Sequence, residues 1–272
     1  MFGRIYSNPK IVSLMVEHSV ARKKYGKNVR NIFRIVGPLM IFLFGYPLDM
    51  EIRRRVKPVE RLLIPTPGDT ILDVGCGIGY FSFEFIKHGS TTVGLDIDLE
   101  DIMLAKGVKK NQEVSPANFI QGSGLTLPFK EGSFDKILAS EIIEHIEDDS
   151  SFVIELSKTL KPGGVLVLTT PYSSSPVEYS REHFKKIKSA NILGGHVRSG
   201  YNIKTLEELF SKADLELKHH TFSYKRFTKF GRAIIKCCGW VGAPLAFLVS
   251  ILDEFSKGGR GKCIIVSARK SG

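Results

Sequence analysis

The sequence is poor in cysteine and lacks an apolar run long enough to cross a membrane as a helix. Its 272 residues include four cysteines, none in a Cys-x-x-Cys pair or a Cys/His ligand spacing. This argues against a metal site and a disulfide framework and predicts a reducing intracellular environment. Two uncharged apolar runs, residues 35–48 and 237–252, contain 14 and 16 residues, whereas a spanning helix needs about 20. No apolar signal core lies near the N-terminus, which argues against secretion.

Charge is distributed unevenly along the chain. Residues 1–61 carry 13 basic and 4 acidic side chains, residues 62–220 carry 16 and 22, and residues 221–272 carry 10 and 2, so the net charges of +9, −6 and +8 sum to +11. Both basic flanks contain one of the apolar runs. Because basic and apolar character together favour a membrane interface, we predict that the runs lie on an anionic membrane surface or cover a substrate entrance. Burial against the domain core or a second subunit is the alternative.

The segment 70–80 predicts a strand, a tight turn and a helix. The apolar run Thr-Ile-Leu-Asp-Val leads into glycines at positions 75, 77 and 79. Glycine accepts positive φ angles, and the missing Cβ lets a ligand lie against the backbone. A dinucleotide fingerprint requires a further glycine at position 80, where this chain has Tyr80, so NAD is disfavoured. Asp96, at the end of a second predicted strand, can accept hydrogen bonds from ribose hydroxyls.

Five motifs follow one another in an order typical of one enzyme family. They are LDVGCGIG at 72–79, Asp96, LPFKEGSFD at 127–135, EHIED at 144–148 and LKPGG at 160–164. The chain therefore resembles the class I S-adenosylmethionine-dependent methyltransferases, and within them the broad group of small-molecule and lipid methyltransferases. The resemblance implies S-adenosyl-L-methionine as cofactor. It also implies an α/β fold with a doubly wound, mostly parallel seven-stranded sheet of the Rossmann-like type, in which the last strand inserts antiparallel.

The alternation of strands and helices gives a provisional organisation of the chain. Strands are predicted at 118–121, 134–140 and 165–170, and helices at 99–110 and 148–160, with Pro162-Gly163-Gly164 ending the second helix. We predict an N-terminal basic and apolar helical extension over residues 1–61 and a methyltransferase domain over 62–272. The domain would carry a substrate-loop insertion over 171–202 and an apolar insertion over 229–256, before the last strand.

The resemblance also assigns cofactor-binding residues. The glycine loop is assigned to the methionine and ribose part of the cofactor, Cys76 being a small residue that fills the loop. The family's adenine loop commonly has an aspartate where this chain has Ser123, whose hydroxyl can still accept one hydrogen bond. The predicted cofactor-binding residues are Asp73, Gly75, Cys76, Gly77, Gly79, Asp96, Ile97, Ser123, Gly124 and Ser140.

Three histidines are candidate catalytic bases, because an imidazole titrates near neutral pH. His145 follows the predicted strand 134–140, and His183 and His196 lie in the insertion where the family keeps substrate residues. The alternative for His145 is a helix-start or core histidine bonded to the backbone. For His183 and His196 it is a solvated loop position.

The expected function is methyl transfer to an amphipathic or lipid-linked acceptor, by a cytoplasmic protein attached peripherally to a membrane. An RNA or protein methyltransferase that uses the basic flanks is one alternative, and a catalytically silent binding module is another. Ala139-Ser140-Glu141-Ile142 stands where methyltransferases of base amino groups carry an Asp/Asn-Pro-Pro-Tyr/Phe tetrad. This departure argues against N-methylation of adenine or cytosine.

Overall fold

The computed structural model describes residues 50–112, 117–176, 195–223 and 261–272, together with Phe230 and Val249. The predictions for residues 1–49, for His183 and for almost all of the run 237–252 concern residues outside this set. The helices are α1 (Met50–Leu63), α2 (Tyr80–Ile86), α3 (Leu99–Gln112), α4 (Asp149–Thr159) and α5 (Ile203–Ser211). The strands are β1 (Thr70–Val74), β2 (Thr91–Asp96), β3 (Ala117–Gln121), β4 (Phe134–Ser140), β5 (Leu160–Pro171), β6 (Leu215–Ser223) and β7 (Cys263–Lys270). A 3₁₀ turn, Ile143–His145, follows β4.

Within the described residues, the strands form one seven-stranded sheet in the order β3-β2-β1-β4-β5-β7-β6. The strands β3, β2, β1, β4 and β5 are parallel, and β7 runs antiparallel to both β5 and β6. This arrangement confirms the predicted doubly wound, mostly parallel sheet with an antiparallel last strand. The strand order reverses between β1 and β4, and ligands of such sheets bind at the carboxyl ends of the strands beside that point.

Helices cover both faces of the sheet. The buried strand residues alternate, so that Ile71 and Leu138 face one hydrophobic layer while Leu72 and Ile137 face the other. The first layer contains the α2 side chains Phe83 and Phe85, and the second contains Phe152 of α4 and Phe210 of α5. Each of these rings is fully buried, which contributes roughly 1.5–3 kcal/mol per side chain relative to exposure.

Helix α1 packs on the first face, against β5, β6 and β7. It buries Val56, Val59 and Leu63, and it brings the guanidinium group of Arg55 to the carboxyl end of β4. The helix lies across the predicted domain boundary at residues 61 and 62, and that boundary stays a prediction. No helix among the described residues is long and apolar enough to span a membrane.

Strand β5 begins earlier than its sequence indicates. Pro162-Gly163-Gly164 predicted a break before a strand at 165–170, whereas β5 starts at Leu160 and includes the break. Leu160 pairs with Phe134 and the register then shifts, so that Val165 pairs with Lys136. Gly163 lies at this register shift and has a φ of 73°, a conformation that favours glycine. The prediction of a helix end was therefore correct, and the prediction of a loop between helix and strand was wrong.

Candidate active site

The glycine loop after β1 has the conformation that its sequence requires. Gly75, Gly77 and Gly79 all have positive φ angles, of 70°, 50° and 81°. A Cβ on Gly79 would lie 2.6 Å from the ring of Phe119, and one on Gly75 would lie 2.8 Å from the side chain of Ile142. Two of the glycines are thus required by close packing as well as by backbone conformation.

The amide groups of the loop are largely used within the protein. Gly75 and Cys76 donate to the carbonyl of Leu95, at 2.7 and 3.1 Å, and Gly79 donates to the carbonyl of Cys76 at 2.9 Å. The loop therefore differs from a phosphate-binding cradle, in which such amides point at the ligand. What the loop offers a ligand is close approach to its backbone. Cys76 is buried, and burial raises the pKa of its thiol.

Asp96 fastens the glycine loop to the end of β2. Its carboxylate accepts hydrogen bonds from the amide of Gly77 at 2.7 Å and from the amide of Asp98 at 2.9 Å. A carboxylate has about four lone-pair positions, so two acceptor positions remain. The next side chain, Ile97, is 74% exposed and presents an apolar surface beside this carboxylate.

Asp73 lies beneath the loop and is fully buried in β1. It accepts a hydrogen bond from the hydroxyl of Ser82 at 2.7 Å. Desolvation raises the pKa of Asp73 to about 7, and the nearby charge of Asp96 acts in the same direction. A positive charge placed above the loop would therefore favour the ionised form of Asp73.

The turn after β3 carries two further predicted cofactor-binding residues, Ser123 and Gly124. Gly124 is buried, and a Cβ there would lie 2.7 Å from the ring of Phe152. The hydroxyl of the half-buried Ser123 accepts a hydrogen bond from the amide of Leu125 at 3.2 Å. It retains its own hydrogen as a donor.

The end of β4 carries a polar group that the sequence did not indicate. Ser140, predicted to bind the cofactor, accepts a hydrogen bond from Arg55 of α1 at 2.8 Å and is 3.0 Å from the hydroxyl of Thr169. The next residue, Glu141, has a positive φ of 56°. Its carboxylate accepts from Thr169 at 3.0 Å and lies 3.7 Å from Arg55. A non-glycine residue in this conformation costs of order 1–3 kcal/mol and is held by its surroundings.

The 3₁₀ turn after β4 buries a second carboxylate, that of Glu144, which is 1% exposed. Its Oε2 accepts from the hydroxyl of Thr170 at 3.1 Å, while its Oε1 has no hydrogen bond and lies 4.0 Å from Nε2 of His196. The backbone carbonyl of Glu144 accepts from the amide of Val197 at 2.8 Å. Desolvation, assisted by the charge of Glu141, raises the pKa of the Glu144 carboxyl well above its usual value.

Two of the three predicted catalytic histidines meet at this place. The rings of His145 and His196 are edge to face, with centroids 4.6 Å apart. Gly195 lies beside the His145 ring, and a Cβ on Gly195 would lie 3.8 Å from Nδ1 of His145. Desolvation lowers the pKa of both imidazoles, so both favour the neutral form near pH 7. The third candidate, His183, is outside the described residues.

Arg198 holds the segment that carries His196. It is buried, forms an ion pair with Asp149 at the start of α4, and donates to the hydroxyl of Tyr201 at 2.7 Å. The Tyr201 hydroxyl donates to Asp149 at 2.8 Å. No local pattern in the sequence indicates a role for Arg55 or Arg198. For Glu141 the local signal is the spacing Glu141-x-x-Glu144-His145.

The glycine loop adjoins the group of residues that follows β4, because the side chain of Ile142 packs against Gly75. A sheet of this strand order, with a glycine loop after β1 and a carboxylate at the end of β2, is the arrangement of the class I S-adenosylmethionine-dependent methyltransferases. The residues present fit that cofactor: the loop admits close approach, Asp96 keeps acceptor positions for a ribose, and Ile97 offers an apolar surface. When bound, S-adenosyl-L-methionine supplies an electrophilic methyl group on a positively charged sulfur.

Comparison with known proteins gives the family directly. Residues 65–220 match the model of the methyltransferase domain family, and the chain belongs to this family. It is 26% identical over 223 residues to norajmaline N-methyltransferase of Rauvolfia serpentina, covering 74% of this chain and 75% of the relative. It is 28% identical to a sterol 24-C-methyltransferase of Gibberella zeae, covering 66% of this chain and 48% of that protein. The demethylmenaquinone methyltransferase of Lactococcus lactis is 29% identical, with 58% and 70% covered.

Solved structures show the same fold. The S-adenosylmethionine-dependent methyltransferase of Mesorhizobium loti superposes with a TM-score of 0.56 at 18% identity, covering 79% of this chain and 96% of that one. The cyclase SpnF superposes with a TM-score of 0.58 at 18% identity, with 80% of each chain covered. Since one of these neighbours is named as a cyclase, the fold alone does not define the reaction. The family match carries the assignment of this chain as a methyltransferase.

Proposed function

We propose that the protein transfers a methyl group from S-adenosyl-L-methionine to an amphipathic or lipid-linked small molecule at a membrane surface. The observation that carries this proposal is the division of the chain into an acidic core and two basic flanks, each with an uncharged apolar run. Basic and apolar character together favour binding to an anionic bilayer. Two relatives named for a sterol and for demethylmenaquinone, both apolar acceptors, support the same choice.

We assign the cofactor to the side of the site formed by the glycine loop and by the ends of β2 and β3. Asp96 accepts hydrogen bonds from the ribose hydroxyls with the positions that its backbone partners leave open. Ile97 packs against the adenine, and Ser123 faces the polar edge of that ring. The buried carboxylate of Asp73 favours the positive charge of the cofactor from beneath the loop.

We assign the acceptor to the side of the site formed by the end of β4 and the segment before α5. His145 and His196 line this side, next to the loop through the contact of Ile142 with Gly75. Methyl transfer is an in-line displacement, so the main demand on these residues is to align the acceptor atom with the methyl group.

Donor binding tests the cofactor assignment. Asp96→Ala should weaken binding of tritiated S-adenosyl-L-methionine, because it removes both the ribose acceptor and the bond that fastens Gly77. Asp69→Ala is the matched control, since Asp69 also accepts from a backbone amide, that of Thr66 at 2.6 Å, but lies before β1. It should lower stability and leave donor affinity unchanged. Equal donor affinity in Asp96→Ala and the wild type would refute the ribose assignment.

Vesicle co-sedimentation tests the membrane assignment. The full chain should sediment with phosphatidylglycerol vesicles at low salt, and less with phosphatidylcholine vesicles or at high salt, because the attraction is screened. A protein that stays in the supernatant with anionic vesicles at low salt contradicts the proposal. Salt-dependent binding to RNA without vesicle binding would favour an RNA methyltransferase instead. Labelled donor incubated with a membrane lipid extract then identifies the acceptor by its labelled product.

A further inference from the structure

Three side chains of the metal-ligating type converge where the acceptor side begins. Glu144, His145 and His196 each offer one ligand atom, and these atoms lie within 4.8 Å of one another. They come from two segments, the 3₁₀ turn after β4 and the stretch before α5. The sequence did not predict a metal site, because the contributing segments are far apart along the chain.

One carboxylate oxygen of Glu144 lies buried without a hydrogen-bonding partner among the described residues. This atom, Oε1, faces His196. A buried polar atom left unpaired costs free energy, and an unpaired carboxylate costs more than a neutral group. A cation between Oε1 and the imidazole nitrogens satisfies this oxygen.

We propose that Glu144, His145 and His196 bind a divalent transition-metal ion. Two imidazoles and one carboxylate form a donor set of the kind that binds zinc and related ions. Ligand atoms about 2.0–2.2 Å from a tetrahedral zinc ion lie about 3.3–3.6 Å apart. Rotation of the exposed His145 ring and the half-buried His196 ring covers the remaining separation, while Glu144 is held by Thr170.

The surroundings have the features of a supported metal site. The backbone of Gly195 lies beside the His145 ring, since a Cβ on Gly195 would lie 3.8 Å from its Nδ1. Arg198 fixes the segment that carries His196. The charge of Glu141 is partly offset by Arg55. The cluster therefore carries the negative charge of Glu144 when this residue is ionised and both imidazoles are neutral. Three protein ligands leave coordination positions for water or an acceptor oxygen.

This proposal gives the two histidines a role as ligands in place of a role as general bases. It is independent of the proposed membrane function, because ion binding is measured without donor, acceptor or vesicles. The full chain is purified without a histidine tag, treated with a chelator and dialysed against Zn²⁺ or Mn²⁺. Bound ion is then measured by elemental analysis, and affinity is measured by calorimetry. We expect one ion per chain.

Three variants test the ligands individually. His145→Ala, His196→Ala and Glu144→Gln should each weaken ion affinity by more than about tenfold. His219→Ala is the matched control, because His219 is an exposed histidine on β6, and it should bind as the wild type does. Thermal unfolding of each variant separates loss of the site from loss of the fold.

The visible absorption of Co²⁺-loaded protein gives a second measurement, because its ligand-field bands report imidazole and carboxylate ligation directly. These bands should be present in the wild type and in His219→Ala, and altered in the three ligand variants. A wild-type chain that binds no ion overturns the proposal, as does binding that survives all three substitutions. The first result would mean that Glu144 is buried as a neutral carboxylic acid.

Discussion

The two sides of the site are built in different ways. The proposed cofactor side consists of loops that directly follow β1, β2 and β3, and its shape comes from glycine conformations and backbone hydrogen bonds. The proposed acceptor side consists of side chains from α1, the end of β4, and the segment before α5, held by partly buried ion pairs. The first design depends on local sequence, whereas the second depends on contacts between distant residues. Substitutions should therefore act differently on the two sides.

The largest effect is expected on the acceptor side, from Arg198→Leu. The change leaves the carboxylate of Asp149 without its ion-pair partner and releases the segment that carries His196. The free energy of unfolding should fall by about 3 kcal/mol, the low end for a broken buried pair, since Asp149 is partly exposed. Urea denaturation measures it. Lys204→Met is the control, because it removes an exposed ion pair with Glu208 and should leave the free energy of unfolding unchanged. Similar losses of stability in both variants would contradict the stabilising role of the Arg198–Asp149 ion pair.

The cofactor side should be most sensitive at Gly79. Gly79→Ala adds a Cβ in a left-handed conformation and against the ring of Phe119. A cost of about 2 kcal/mol in donor binding corresponds to about 30-fold weaker affinity. Gly132→Ala is the control, because Gly132 has a φ of 62° but its added Cβ would contact nothing. Donor affinity measured by calorimetry should be unchanged in this control, although both variants lose stability.

Donor binding should also depend on pH through Asp73. Its pKa of about 7 means that the buried carboxyl is largely protonated below neutral pH. Because the carboxylate form attracts the cationic donor, affinity should rise by about tenfold between pH 5.5 and 7. Asp73→Asn should flatten this dependence. An equally steep rise in the variant would show that another group is responsible.

The same carboxyl predicts the sign of a stability change in the donor-free protein. The folded protein binds this proton more tightly than the unfolded chain, whose pKa is near 3.8. The contribution of Asp73 to stability is therefore greatest below the unfolded value and is lost as the pH rises through about 7. Thermal unfolding between pH 5 and 8 should show a smaller decline in Asp73→Asn than in the wild type.

The smallest effect is expected at Ser123, the departure from the family pattern. Ser123→Ala removes the hydroxyl that bonds the turn and that we assign to the adenine, and it should weaken donor binding about threefold. Ser133→Ala is the control, because Ser133 bonds a carbonyl of a turn before β4. Equal donor affinity in both variants would remove Ser123 from the cofactor site.

The sequence indicated the elements around the glycine loop better than the contacts at the end of β4, for a physical reason. Strands β1, β2 and β4 are short apolar runs, and glycine or acidic residues at their ends mark the turns directly. By contrast, no local pattern indicates that Arg55 reaches Ser140 or that His196 meets His145. The early start of β5 was missed because a register shift absorbs Gly163 inside a strand, where glycine ordinarily indicates a break.

The antiparallel pairing of β6 with β7 has a consequence for protein engineering. Ser223 and Cys263 are paired residues at the adjoining ends of these strands, so the intervening chain leaves the sheet and returns to it at one spot. A two-residue Asn-Gly turn can join strands in this arrangement. We expect β6 and β7 to stay paired when such a turn replaces the residues between them. Vesicle binding by that shortened chain, compared with binding by the full chain, would test whether the insertion carries the proposed membrane attachment.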